Sequence, residues 1–289
     1  MILSQRFLLA AAASVYMMLP ATAQCPASIN KINDGNVTFN ATGDTSVTFF
    51  DKDPWHISLT IEDSRREKTR YGSKWNTLQD LGVFLSVPES FIGTRDGNRT
   101  QVCTYRMEGQ NATSDAENSS ARLSCNGILS EDCQKALRSV SAPKDGECPS
   151  APSNVAEACG ELINIWTSVS LNFSTSNCSV DELPGVNLPN DYETFQLSGG
   201  GLVPPDAEKD SFEVYDLRVQ QPIPILLSVR LPDGKSAAEI ICLAPSNITQ
   251  SSRKPEAEFP PNAAGSLDSR RAFPFAVAVM CVVGLVLAP

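Results

Sequence analysis

Only one histidine, His56, occurs among the 289 residues, and that scarcity removes more chemistry than any other feature of the chain. A single imidazole excludes every site that needs two. With no C-x-x-C spacing anywhere, it also leaves no recognisable ligand set for zinc. No Gly-x-Ser-x-Gly elbow is present, so the nucleophile signature of an α/β-hydrolase is missing too. Cations are short: Lys and Arg number 23 against 33 Asp and Glu, a formal net charge of −10. Nucleic acid and anionic lipid both reward cations, so neither is expected as a partner. No internal repeat is visible, and long apolar runs are confined to the two ends.

Those ends read as addresses. MILSQRFLLAAAASVYMMLPATAQC has one early cation, Arg6, an apolar stretch from Phe7 to Leu19, and small residues in A-x-A order at Ala21-Thr22-Ala23. This is the pattern of a secretion signal, with cleavage expected after Ala23 and residues 1–23 removed. The mature chain then begins at Gln24, not at the histidine that a copper polysaccharide mono-oxygenase would present. At the other end, Ala272 to Pro289 is about the minimum length for crossing a bilayer as a helix. Its nearest cations, Arg270 and Arg271, precede it, the reverse of the positive-inside tendency. Upstream stand a small triplet, Asn262-Ala263-Ala264, and a polar spacer from Gly265 to Arg271. Triplet, spacer and apolar tail form a glycosylphosphatidylinositol (GPI) attachment signal, whose tail is discarded when the lipid is attached. Asn262 is the expected attachment residue, Gly265 and Ser266 are the alternatives, and residues 263–289 are the expected propeptide. A retained span and release after Arg270-Arg271 are the competing readings. The expected membrane partner is reached through that lipid, on the extracellular face of the plasma membrane.

Residues 24–262 carry 20 cations against 32 anions, which suits a solvated surface outside the cell. Loss of the tail removes Cys281 and leaves Cys25, Cys103, Cys125, Cys133, Cys148, Cys159, Cys178 and Cys242. An even number in an exported chain reads as a disulfide framework whose connectivity the spacing leaves open. Most of these cysteines fall between Cys103 and Cys178, where hydrophobic patterning is weakest, which points to a structural use. Asn-x-Ser/Thr sequons occur at Asn36, Asn40, Asn98, Asn111, Asn118, Asn172, Asn177 and Asn247, and each occupied acceptor must face solvent. Asn177 has Cys178 at its middle position, which disfavours occupancy.

Alternation dominates the N-terminal third. NVTFNATGDTSVTFF sets Val37 and Phe39 before a Thr42-Gly43-Asp44 turn and Val47 and Phe49 after it, a hairpin signal. In WHISLTIED, Trp55, Ile57, Leu59 and Ile61 share one face, and His56, Ser58, Thr60 and Glu62 the other. GVFLSVP and QVCTYRM alternate similarly, the second grouping Cys103, Tyr105 and Met107. Such strands are expected to be polar outside and apolar inside. LSEDCQKALRSV has Ser130 as N-cap, Glu131 and Asp132 in the first turn and Lys135 and Arg138 toward the end, an order that complements the helix dipole. Leu129, Cys133, Leu137 and Val140 form one stripe, so a short helix stapled by Cys133 is expected. VAEACGELINIW repeats near-helical spacing, with Gly160 weakening it. In PIPILLSVRLPDGKSAAEIICLAP, Ile223, Ile225, Leu227, Val229 and Leu231 share a face, Pro232-Asp233-Gly234 turns the chain, and Glu239 to Leu243 returns. Pro222 and Pro224 lack an amide proton, so this strand is expected to begin at a sheet edge. Residues 247–262 have no apolar period and read as a stalk. The pattern as a whole predicts a mainly β chain. Residues 24–246 are expected as an antiparallel β-sandwich-like ectodomain with a small disulfide-stapled helical insertion. The Pro-rich break at 143–154 is where two domains would divide.

Candidate chemistry is sparse. His56 lies on the polar face of its strand, where a general base could stand, but no partner motif accompanies it and a surface imidazole is the plainer expectation. So many acids guarantee that some pair sits at glycosidase spacing, which strips that signal of value. Asp51-Lys52-Asp53 is too little for a calcium loop. Tyr71 and Trp75, flanking Gly-Ser-Lys in REKTRYGSKWN, are the candidate saccharide-stacking residues. No catalytic residue, metal ligand or cofactor is expected.

The layout of signal, Cys-rich glycosylated ectodomain, Ser/Pro stalk and GPI tail resembles uncharacterised GPI-anchored cell-surface proteins of filamentous ascomycete fungi. SCNGILSEDCQKAL, ending at Leu137, and PIPILLSV with IICLAP are similar to segments of that group. The cysteines, spread from Cys25 to Cys242, do not match the crowded fungal eight-cysteine haem-scavenging module. The resemblance implies a non-catalytic glycoprotein of the cell surface or wall, structural, adhesive or in contact with cell-wall polysaccharide. A wall-remodelling glycoside hydrolase or transglycosidase using a carboxylate pair, and a module binding an extracellular protein, are the alternatives.

Overall fold

The computed structural model describes residues 25–50, 53–64, 78–107, 125–160, 167–173, 178–202 and 212–256. Among them, β1 (Ala41–Val47), β2 (Trp55–Ser64) and β3 (Leu78–Pro88) are followed by β4 (Gln101–Arg106), β5 (Thr167–Asn172), β6 (Ser179–Val180) and β7 (Tyr192–Leu202). β8 (Ile223–Arg230), β9 (Ser236–Leu243) and β10 (Asn247–Ile248) complete the strands. They form two antiparallel sheets, one in the order β10-β1-β2-β3-β7-β6 and the other β5-β4-β8-β9. Period-two burial explains the stacking. Ile57, Leu59, Ile61, Leu81, Val83 and Leu85 of the larger sheet meet Val102, Ile225, Leu227, Val229 and Ile241 of the smaller, all at most 2 % exposed. Each such side chain contributes about 1.5–3 kcal/mol on burial, so this interlayer is the main source of stability. The expected β-sandwich is the fold. Trp55 closes one end, its ring centroid 5.1 Å from Phe49, 5.3 Å from Phe91 and 6.1 Å from Phe173.

Both outer faces are covered as well. Over the larger sheet lie α1 (Ala27–Asn33) and the chain near Leu183, whose Ile29, Ile32, Val180 and Leu183 pack with Val37, Phe39 and Phe84. Over the smaller sheet lie α4 (Glu131–Arg138) and α5 (Ser153–Cys159), which bury Leu129, Leu137, Val140 and Val155 on Tyr105, Leu226 and Ile240. The short α2 (Glu89–Ile92) and α3 (Arg95–Asn98) join β3 to β4, and α6 (Glu213–Arg218) leads into β8. Helix α4 starts as expected, with Ser130 Oγ accepting the Cys133 amide.

All eight ectodomain cysteines pair, as Cys25–Cys178, Cys103–Cys148, Cys125–Cys242 and Cys133–Cys159. Structural disulfides persist in oxidising compartments, and this is an extracellular protein. Among the described residues no helix is long and apolar enough to cross a membrane.

Four expectations need correction. Thr42-Gly43-Asp44 is not a turn: β1 runs straight through it, and the chain reverses after Phe50, whose φ is +57°, so that Val47 pairs with Trp55. Gly43 is needed because a Cβ there would strike the Ala244 carbonyl oxygen. The polar face of β2 is not solvated; Ser58 and Thr60 are fully buried beneath the α1 cover. β8 is an interior strand, flanked by β4 and β9. Pro224 is tolerated because it meets β4 past its last residue, accepting from the Met107 amide while donating nothing. The expected stalk is also fastened through Glu256. Asn247 and Ile248 pair with β1, the Thr249 amide donates to Asn40 O, and Arg253 bridges to Asp216.

Candidate functional site

His56 is the second residue of β2, on the outer face of the larger sheet. It is half-buried, not a free surface imidazole. Its ring stands edge-on to Tyr192 at 5.2 Å, and its cross-strand neighbour is Ser86. That serine does not form a nucleophile–base pair with it, because Ser86 Oγ is hydrogen-bonded to Thr194 Oγ1 at 2.8 Å. His56 Nδ1 is buried without a hydrogen-bond partner among the described residues. Burial lowers its pKa from the ordinary 6.5, against the raising effect of Asp44. Asp216 is the one buried acid among the described residues, and it is held by Arg253 Nε and Nη2 at 3.2 Å and by the Glu256 amide at 3.3 Å. No cluster of His, Cys, Asp and Glu suited to a metal occurs among the described residues.

Tyr71 and Trp75 lie outside the described residues, as do Asn111, Asn118, Asn177 and Asn262. Asn36, Asn98 and Asn247 are exposed. Asn40 is engaged on both amide atoms: Oδ1 accepts the Asp63 amide at 2.7 Å and Nδ2 donates to Ser252 Oγ at 3.2 Å. Asn172 is half-buried at the end of β5.

Asn172 leads to a feature that sequence reasoning missed. Antiparallel register sets Asn172, Gln101 and Arg230 in one row across β5, β4 and β8, so their side chains share the outer face at one end of the smaller sheet. Arg99, just before β4, and the turn holding Lys144 and Asp145 wall off that row into a recess of about 360 Å³. Leu231 and Pro232 close its side. The turn is fixed by backbone pairing of Lys144 with Glu147, by Ser170 Oγ donating to Gly146 O at 2.7 Å, and by the Cys103–Cys148 bridge. Arg230 Nη1 reaches Pro143 O at 3.3 Å, tying the segment 143–154 to the sheet. None of Arg99, Lys144 and Arg230 forms an ion pair with a described residue, whereas Lys31, Lys235 and Arg253 all do. Three cations and one carboxylate thus converge in a strongly acidic molecule. Such a recess attracts anions, and its guanidiniums suit a carboxylate or phosphate bidentately.

A second pair of arginines is buried elsewhere. The Arg106 side chain enters the sandwich interior near Arg218, and burial lowers its pKa, with the like charge of Arg218 adding to the effect. Arg218 Nη1 donates to Gln221 Oε1 at 2.9 Å.

No family model, no curated protein and no solved structure matches this chain.

Proposed function

We propose that the protein is a non-catalytic, GPI-anchored glycoprotein of the fungal cell surface or wall, which contacts wall polysaccharide through the end of the sandwich that carries the cationic recess. Its resemblance to ascomycete surface proteins and the C-terminal attachment signal support the anchor and the location. The observation that carries the contact reading is the placement of the two ends. The last described residues are fixed at α6: Tyr215 Oη donates to Arg253 O, and the Glu256 amide to Asp216. Helix α6 leads into the first residue of β8, while the recess lies at Arg230, the last. Eight residues of strand separate these points by about 25 Å. A lipid attached downstream of Glu256 therefore leaves the recess facing away from the membrane.

Two measurements test this reading. A phosphoinositol-specific phospholipase should release the protein from cells, and the released chain should lack the peptide ending at Pro289. The purified protein should bind wall polysaccharide without turning it over. Failure of release, with Pro289 still attached, removes the anchor. Turnover lost on changing one Asp or Glu makes the protein an enzyme.

A further inference from the structure

We propose that the recess at the end of the smaller sheet is a binding site for a phosphate group, free or carried as a monoester on a larger molecule. Such a site goes beyond the polysaccharide contact and does not depend on it. Charge selects the ligand. Arg99, Arg230 and Lys144 bring three positive charges to the recess and Asp145 one negative, an excess of two. A phosphate group carries about 1.5 to 2 negative charges at neutral pH and matches that excess. A single carboxylate would leave one cation uncompensated. The phosphate oxygens also match the donors, which are two planar guanidinium forks and one ammonium. Size agrees with charge. A recess of about 360 Å³ holds a phosphate with room for the organic group beyond an ester oxygen.

The fold places each cation. Arg230 is half-buried at the end of β8, and its Nη1 bond to Pro143 O at 3.3 Å occupies one of five donors. Lys144 sits on the turn that the Cys103–Cys148 bridge and Ser170 Oγ hold against the sheet. Arg99 follows α3, whose cap is Thr94 Oγ1 accepting the Gly97 amide at 2.9 Å, and precedes the fully buried Thr100. None of the three is ion-paired to a described residue, so a phosphate displaces no internal partner among them. Gln101 and Asn172 complete the walls without being needed for the charge match.

The test uses the full chain, expressed through a eukaryotic secretory pathway and purified in detergent micelles in a phosphate-free buffer. Inorganic phosphate, methyl phosphate and acetate are titrated at neutral pH, at low and at physiological ionic strength. At least one of the two phosphates should bind about tenfold or more tightly than acetate, and salt should weaken the binding. Methyl phosphate binding as tightly as inorganic phosphate, or more tightly, identifies an esterified phosphate as the natural form. Weaker binding of the methyl ester identifies the free ion. R99Q and R230Q should each weaken binding about tenfold or more. K144Q should weaken it less, because an ammonium on an exposed turn supplies a point charge and no fork. D145N should act in the opposite direction and tighten binding, since it removes the one negative charge of the lining. Asparagine tolerates the left-handed backbone of that position, φ +54°. K31Q, at a cation already paired with Glu62, should change nothing. N172Q removes the sequon and should bind at least as tightly as the secreted protein, so a glycan there cannot hide the site. Acetate binding as tightly as phosphate would reduce the recess to a counter-ion site and overturn the proposal. Phosphate binding that R99Q and K144Q leave intact would overturn it too, as would its absence from both the secreted protein and N172Q. Should R230Q fail to fold, R99Q, K144Q and D145N together decide the matter.

Discussion

The two covers of the sandwich are built on different principles. Over the larger sheet, α1 and the chain near Leu183 supply Ile29, Ile32, Val37, Phe39, Val180 and Leu183, with one disulfide, Cys25–Cys178, at the margin. Hydrogen bonds add to it, as between Asn33 Nδ2 and Ser179 O at 3.1 Å, and so does the Lys31–Glu62 pair at 2.8 Å. Over the smaller sheet, α4 and α5 are eight and seven residues long and bury few large side chains. Here three disulfides carry the attachment, and their sulfurs sit inside the packed cluster. Where a cover is too small to hold itself by apolar burial, covalent links replace area, the rule seen in small secreted domains.

The sharpest test of that contrast is to cut one long-range link on each side. Replacing Cys125 and Cys242 with Ser should cost about 4–5 kcal/mol and expose Tyr105 and Ile240, read as a lower urea midpoint and new dye binding. The Cys25–Cys178 loop is longer, 153 residues against 117, so chain entropy alone gives it at least equal weight. A smaller loss on the Cys25 side supports the contrast, and equal losses break it. Next, Ile29→Ala should cost about 2–4 kcal/mol, and the deficit should persist under reducing conditions because packing, not sulfur, holds that cover. Gly43→Ala probes the seam where the two sheets meet; its Cβ has no room beside Ala244, so a loss of about 1–3 kcal/mol is expected in chemical denaturation. Ser130→Ala removes the cap of α4 at about 1 kcal/mol, a modest effect because Cys133–Cys159 still holds the helix. The smallest effect is one of pH. Because burial depresses the His56 pKa, the unfolded chain takes the proton first. Stability should decline as pH falls below about 6.5 and level off once the folded imidazole titrates too. His56→Gln should flatten that part of the profile.

What could be read from the chain depended on range. Helix α4 was legible because its signals are local: Ser130 at the cap, acids in the first turn, and Leu129, Cys133 and Leu137 on a stripe. The alternations of β2 and β8 were legible for the same reason. The Thr42-Gly43-Asp44 turn failed because a glycine answers two needs alike, a turn or a close backbone approach, and only the position of Ala244 tells them apart. Ser58 and Thr60 looked solvated because their polarity is a local fact, while the α1 cover that buries them comes from elsewhere in the chain. The recess gave no signal, since Arg99, Lys144 and Arg230 come from three separate segments joined only by register and a disulfide.

Residue order alone determined that this chain alternates its way into an antiparallel sandwich and oxidises its cysteines outside the cytosol. Periodicity and composition act on neighbours and need no knowledge of the whole. Which cysteine meets which, which polar face is sealed, and where cations gather were decided by the tertiary structure. Those outcomes depend on distances between residues far apart in sequence, and such distances exist only once the sheets have stacked.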